Sequence, residues 1–488
     1  MKTYLSIDIG TSSTKLSLFD GSGRLLGTVT AAYPVEYPRP EWAEQDPEVW
    51  WDAIRRLGPQ IMQHPGTADL AGISLSGQTP LCVPVDEQGL PLRKAILWLD
   101  RRATAQVDAL RRDPGEERCR AISRNRLDSY FGGPKWLWFR QEEPARFARA
   151  WKILQASSFI HLRLTGNPVI DAAQAGLCSP CFHADRQDWD AELCAEIGIP
   201  VDLLPAVRPA WEVTGSVSAE AARQTGLPEG VPVVCGGGDF ACAGLGAGLG
   251  PNEAALMLGT AGNLLFPGVI NNDPRLLHTI HLDGSRLPFG GVMAGGNLNW
   301  LAGILGSASP ALFDALNAEA APLPPGSEGL LFLPYLMGER TPIWDPTARG
   351  AFIGLSARHT RAHLYRAVLE GIAYAFRQIQ EIAGAAGISR ITAIDGGARS
   401  ALWRQILADV LGVPIAEGGE QAGTALGSAF LAALGTGGAK DFREITNWVA
   451  IHSITTPNPT AMERYSRLYP VYASLYEKLR PDFAVLGY

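Results

Sequence analysis

The chain has little of what nucleic-acid or membrane proteins need. Its 42 Lys and Arg are outnumbered by 49 Asp and Glu, for a formal net charge of −7, so it has no basic excess to meet a phosphodiester backbone. No apolar run approaches the ~20 residues that cross a bilayer. One of the longest, 329–338, is broken by Pro334. Cysteine is sparse: the count of seven is odd, and Cys178-Ser179-Pro180-Cys181 has no second Cys or His pair to complete a four-ligand zinc site. Reduced, buried or half-buried thiols are the expectation. Charge runs and low-complexity segments are lacking, and the opening Met1-Lys2-Thr3-Tyr4 shows no leader pattern. A cytoplasmic protein with no nucleic-acid and no membrane partner is expected. The Walker pattern GxxxxGK[ST] is also absent, which excludes a P-loop as the means of holding a nucleotide.

What is present is a set of glycine-hydroxyl turns. Asp8-Ile9-Gly10-Thr11-Ser12-Ser13-Thr14 follows an apolar run near the start, and Leu258-Gly259-Thr260-Ala261-Gly262-Asn263 lies past the middle. Small residues admit a phosphate to the backbone, and Ser and Thr hydroxyls add donors. Between these turns, Val231–Cys235 reads as a buried strand that delivers Gly236-Gly237-Gly238-Asp239. An aspartate placed after a glycine run can take the proton of a hydroxyl nucleophile. Two phosphate turns and one such carboxylate outline a sugar kinase. Asp8 stands on an otherwise apolar strand, where an unpaired carboxylate would be costly, which points to a functional role. Lys15 lies close to the first turn or snorkels from an edge strand.

At 488 residues the chain calls for two to four domains. Tyr4–Ile9, Lys15–Phe19 and Arg24–Thr30 read as a three-stranded meander, so the first turn joins two strands. Asp46-Pro47-Glu48 starts a helix, Leu70–Ser76 is a strand ending at Gly77-Gln78, and Ala95–Leu99 is a strand ending at Asp100-Arg101-Arg102. In the second half, apolar spacing predicts a helix over His363–Ile382, with Glu370 placed at a domain interface. Ile391–Ile394 leads to Asp395-Gly396-Gly397-Ala398, and Ser400 caps a helix Ala401–Leu411 that stops at Gly412. The similar turns hint at an internal duplication, with a boundary near 240–256.

Together these residues resemble the FGGY carbohydrate kinases over nearly the whole chain. One signature is similar to Tyr130-Phe131-Gly132-Gly133-Pro134-Lys135-Trp136-Leu137-Trp138. The second is similar to Gly350-Ala351-Phe352-Ile353-Gly354-Leu355 with Ala367-Val368-Leu369-Glu370-Gly371. Gly338-Glu339-Arg340-Thr341-Pro342 and Trp98-Leu99-Asp100-Arg101-Arg102 resemble the xylulokinase branch. The resemblance implies an α/β chain of two RNase H-like, actin-type domains, 1–246 and 247–488, with the active site in the cleft. It implies ATP and Mg²⁺, and a sugar hydroxyl as acceptor, most readily that of a ketopentose such as D-xylulose. It makes Asp239 the catalytic base, Asp8 with Asp239 the Mg²⁺ carboxylates, and Gly77, Gln78, Asp100 and Arg102 the rim of the sugar pocket. Thr11, Ser12, Lys15, Gly259 and Thr260 then bind the phosphates, and Gly396, Gly397 and Ala398 form the nucleotide floor.

The chain departs from the branch at Thr79-Pro80, where Met-His is usual. Proline has no donor, so a polar contact to the sugar is missing or comes from elsewhere. Kinases for ribulose, gluconate, glycerol or a tetritol are rival readings. An actin- or Hsp70-like ATPase or a non-catalytic ATP-binding sugar sensor is a rival of another class. A homodimer is one assembly open to it.

Overall fold

The structure is a computed structural model that describes residues 1–486. The chain forms two compact units. The first comprises 1–248, 278–287 and 421–449, and the second 249–277, 288–420 and 450–488.

The sheet of the first unit grows from the predicted meander. Strands Thr3–Ile9, Ser13–Asp20 and Leu25–Ala32 run antiparallel, and their apolar residues share a core with those of helix Glu48–Ile61. Leu70–Gly77 then lies parallel to the first strand, and Pro232–Val234 and Val213–Ser216 complete the order. The predicted strand at Ala95–Leu99 shortens to Ala95–Ile96. A second apolar cluster in this unit collects Cys82, Ile96, Trp136, Cys178, Cys181 and Cys194. All seven cysteines are free and buried.

Helix Thr424–Gly435 belongs to this first unit although it lies far along the chain. Glycines explain the attachment. A Cβ on Gly246 would sit 2.0 Å from the Gly423 carbonyl oxygen, and one on Gly427 2.0 Å from that of Cys242. Only hydrogen fits where helix Asp239–Leu245 crosses Thr424–Gly435.

The second unit repeats the plan. Glu253–Leu258 pairs antiparallel with Ala261–Leu265, which pairs antiparallel with Arg286–Met293. Arg390–Ile394 is parallel to the first of these, and Ile415–Gly418 and Ile451–Thr455 follow. Three antiparallel strands, then two parallel additions and an antiparallel edge, is the order of the first sheet. The suspected duplication is therefore visible in topology. Helix Arg361–Ala383 fills the core of this unit, and Pro459–Leu486 covers it with Tyr465, Tyr472 and Leu475 buried. Glu370 does not reach an interface. It is buried within the second unit, where it accepts from Arg366, Tyr465, Ser327 and the Gly326 N–H. Four donors on one carboxylate offset its burial. Among the described residues, no helix is long and apolar enough to cross a membrane.

Candidate active site

Register places the two key aspartates. Asp8 is paired with Ser76 on the parallel neighbour, and Ser76 with Gly237 on the next strand. Gly77 is likewise paired with Gly238, and Asp239 follows at once. At ordinary strand spacing, the chain at Gly237 is roughly 10 Å from Asp8. The Asp8 carboxylate accepts from the Ser76 hydroxyl at 2.8 Å. Burial pushes its pKa up, opposed by Ser76 and by Lys15, its cross-strand partner. Asp239 opens helix Asp239–Leu245, and its Oδ1 accepts from the Phe240 N–H at 2.7 Å. Burial and then the charge of Asp8 push its pKa up to about 7. A carboxylate that holds its proton until near neutrality is matched to abstracting one from a hydroxyl.

The turn between the first two strands closes with the Gly10 N–H donating to the Ser13 carbonyl at 2.9 Å. Ser12 and Lys15 are exposed and Thr11 is half-buried. The Thr11 hydroxyl accepts from the Trp98 indole N–H at 3.0 Å and keeps its own hydrogen to donate. Gln78 is buried at the end of its strand, with Nε2 directed to the Gly10 carbonyl and to Gln45 Oε1. Gly77 has no room for a side chain without pressing on the Ser157 N–H at 3.1 Å.

Asp100 and Arg102 face inward. Asp100 is wholly buried, accepting from the Ala43 N–H at 2.7 Å and from the Arg102 backbone and guanidinium. Arg102 also pairs with Glu44 at 2.7 Å and lies over the Trp42 and Trp138 rings, 3.6 and 4.8 Å from their centroids. Two ion pairs and two aromatic faces engage Arg102 within the protein. Trp136 is buried in the core.

In the second unit, Gly259 and Thr260 form the matching turn. The Gly259 carbonyl accepts from the Gly295 N–H at 2.9 Å, and that of Thr260 from Ala294 and Gly296 at 3.1 and 3.0 Å. A Cβ on Gly259 would find ordinary space, 3.5 Å from the nearest atom, so its smallness is not explained by packing. The Asp395 carboxylate lies beside this glycine, at 3.7 Å from that Cβ position, on a backbone with φ 71°. Gly396 is exposed and open. Gly397 is pressed between Leu258 and Trp403, where a Cβ would stand 2.7–2.9 Å from their atoms. Ser400 caps Ala401–Leu411 by accepting from the Trp403 N–H, as the sequence predicts. Arg404 donates to the Ala398 carbonyl and is held by Glu417 at 3.1 Å.

Sequence reasoning gave no site role to Ser76, Gln45, Tyr33, Asp395 or Arg404. Ser76 had a signal, since it precedes Gly77-Gln78 at a strand end. Gln45 and Tyr33 donate to backbone carbonyls, which carry no signature.

Known proteins share this fold. The N-terminal domain of the FGGY family of carbohydrate kinases matches residues 3–246, and its C-terminal domain matches residues 257–436. The xylulose kinase of Escherichia coli (strain K12) is 33% identical over 99% of this chain and 100% of its own. A solved xylulose kinase from Rhodospirillum rubrum superposes with TM-score 0.91 at 35% identity, covering 99% of this chain and 100% of that one. A gluconate kinase from Lactobacillus acidophilus superposes with TM-score 0.92 at 27% identity, covering 100% of both. Both halves and their order are thus those of one family, and the chain belongs to the FGGY family of carbohydrate kinases.

Proposed function

We propose that the protein phosphorylates a hydroxyl of a ketopentose such as D-xylulose, with ATP as donor and Asp239 as general base. The observation that carries this reading is the Asp239 carboxyl. It is held near neutrality by burial and by Asp8, just past the glycines aligned with Ser76 and Gly77. Phosphoryl transfer asks a protein for positioning and charge stabilisation rather than covalent chemistry. The exposed turn at Thr11 and Ser12, with Lys15 beside it, suits phosphate oxygens. Gly259, Thr260, Gly396, Gly397 and Ala398 suit the rest of the nucleotide. In this reading residues 1–246 handle the sugar and the base, and residues 247–488 the nucleotide. Gly77, Gln78, Asp100 and Arg102 form the pocket rim, the last pair shaping it through the Trp42 and Trp138 faces.

Asp8 and Asp239 also fit Mg²⁺. Among the described residues, no group of three or more His, Cys, Asp or Glu is arranged to hold a metal. Mg²⁺ binds through one or two carboxylates together with water and substrate phosphates, so a pair suffices. Bound there, it would neutralise charge on the transferring phosphate. Asp8 holds its carboxylate oriented through Ser76. Asp239 receives the proton of the attacking hydroxyl at its own carboxylate oxygen.

The likeness to the gluconate kinase favours a second acceptor class, the sugar acids, since Thr79-Pro80 sits where the xylulokinase branch usually carries Met-His. A coupled assay of ADP release over ketoses, polyols and sugar acids decides between them. Release that depends on one added ketose supports the reading. Equal release with no acceptor would make the protein an ATPase.

A further inference from the structure

Three successive carbonyls in the first turn are all tied back into the protein. The Gln78 N–H donates to the Ile9 carbonyl at 2.9 Å. The Tyr33 hydroxyl and Gln78 Nε2 donate to the Gly10 carbonyl at 2.9 and 3.3 Å. Gln45 Nε2 donates to the Thr11 carbonyl at 3.2 Å and to that of Pro34 at 2.8 Å. The N–H groups of Thr11 and Ser12 have no acceptor among the described residues.

Peptide planarity joins these facts. In a trans peptide the C=O of one residue and the N–H of the next point in opposite directions. Fixing the Gly10 carbonyl inward therefore aims the Thr11 N–H outward, and fixing the Thr11 carbonyl aims the Ser12 N–H outward. Successive N–H groups turned to one side make an anion-binding concavity.

The polarity of the clamp is also fixed. An indole N–H can only donate. Trp50 Nε1 donates to Gln45 at 2.7 Å, so the atom it meets is oxygen, and the nitrogen of that amide must face Thr11 and Pro34. Gln45 and Trp50 are both buried, which removes water as an alternative partner.

We propose that Gln45 is a positioning residue for phosphoryl transfer, locked by Trp50 so that it turns the Thr11 carbonyl away and presents the Ser12 N–H to a phosphate of ATP, with Tyr33 doing the same for Thr11. This rests on the reading of the Gly10–Ser13 segment as a phosphate turn. Gln45→Glu keeps the size and the acceptor for Trp50 but loses the donor when ionised. One lost hydrogen bond with a repelling oxygen in its place should weaken ATP by about tenfold or more. Adenosine, which lacks phosphate, should bind as to the wild type. Protonation of the new carboxyl restores a donor, so the ratio of variant to wild-type ATP dissociation constants should fall as pH falls. A structural role would not produce that trend. Tyr33→Phe, a milder change, should weaken ATP about threefold to tenfold.

Calorimetry with ATP and adenosine across pH is the test, with thermal melting to confirm folding. Gly10→Val, whose Cβ would press the Ser13 carbonyl at 3.1 Å, damages the turn directly and serves as the separate control. Unchanged ATP affinity in Gly10→Val overturns the phosphate-turn reading. Weakened ATP in Gly10→Val, with unchanged ATP in folded Gln45→Glu and Tyr33→Phe, overturns the positioning role alone. Equal losses for ATP and adenosine overturn it as well.

Discussion

The two turns share topology and composition, yet they are held by different parts. In the first unit the carbonyls of Gly10 and Thr11 are held by side chains, Tyr33, Gln78 and Gln45. In the second the carbonyls of Gly259 and Thr260 are held by backbone N–H groups of Ala294, Gly295 and Gly296, where helix Gly295–Leu305 begins. A side-chain clamp can be removed by one substitution. A backbone clamp cannot, and it is vulnerable only where a side chain is added: a Cβ on Gly295 would stand 2.7 Å from the Gly259 carbonyl oxygen. The carboxylates differ in the same way. In the first unit Asp8 lies on the leading strand and is paired with Ser76, whereas in the second Met257 and Ile394 occupy the matching pair, and the acid, Asp395, comes one residue later. A duplicated frame thus carries its acids at different positions in its two copies.

The sharpest break in this comparison is chemical. Asp239→Asn removes the proposed base and leaves both turns intact. Loss of a general base costs about 10²–10⁴-fold in rate. We expect kcat to fall by that factor while ATP binding, read by calorimetry, is unchanged. Turnover like the wild type in the folded variant would remove Asp239 from the mechanism.

Next in size are the glycines of the second turn. Gly259→Val has ordinary room for its Cβ, so it should fold and weaken ATP more than sugar, by about tenfold, because a branched side chain blocks the backbone's approach to phosphate. Gly295→Ala meets a carbonyl and should lower both the melting temperature and the ATP affinity. If Gly259→Val binds ATP as tightly as the wild type, the second turn is structural only.

A pH profile separates the two carboxylates of the first unit. The base must be ionised, and burial with the Asp8 charge raises Asp239 to about 7. kcat/KM for the sugar should therefore decline as pH drops below about 7 and level off above it. Asp8→Asn removes a negative neighbour and should lower the Asp239 pKa, while burial, the larger cause, keeps it above the ordinary carboxylate range. Carbon-13 NMR titration of the carboxyl in the unliganded variant reads this directly. An unmoved titration would mean that the two groups do not sense each other.

Much of this site was readable in the sequence because charge in an apolar context is a strong signal. Asp8 on its strand and Asp239 after its glycines stood out for that reason, and the Ser400 cap and the helix Arg361–Ala383 followed from local rules. Asp100 and Arg102 show the limit. A charged pair in sequence does not show that its arginine lies over Trp42 and Trp138. Gln45 was silent because the groups it donates to are main-chain carbonyls. The attachment of 421–449 to the first unit was silent because the contact between Gly246 and Gly423 exists only in three dimensions.

The smallest expected effect concerns the acceptor, at Thr79-Pro80. Both residues are buried, and the Thr79 hydroxyl donates to Gln155 Oε1 at 3.1 Å, an atom that also accepts the Leu81 N–H at 2.7 Å. The Thr79 side chain is therefore committed to the protein, and Pro80 has nothing to donate. A pocket that lacks a hydrogen bond to a substrate hydroxyl discriminates by only ~1–3 kcal/mol through shape, whereas a pocket built around one rejects analogues far more strongly. We expect the native protein to use several ketoses, or to prefer an acceptor other than D-xylulose. Thr79→Met with Pro80→His should move the ratio of kcat/KM values towards D-xylulose by about tenfold, one hydrogen bond's worth. Because the change also frees Gln155 Oε1 of one donor, Thr79→Met alone is the control, and it should lower stability without moving the ratio. A native preference for D-xylulose over other ketoses by several orders of magnitude would show that the pocket finds its polar contact elsewhere.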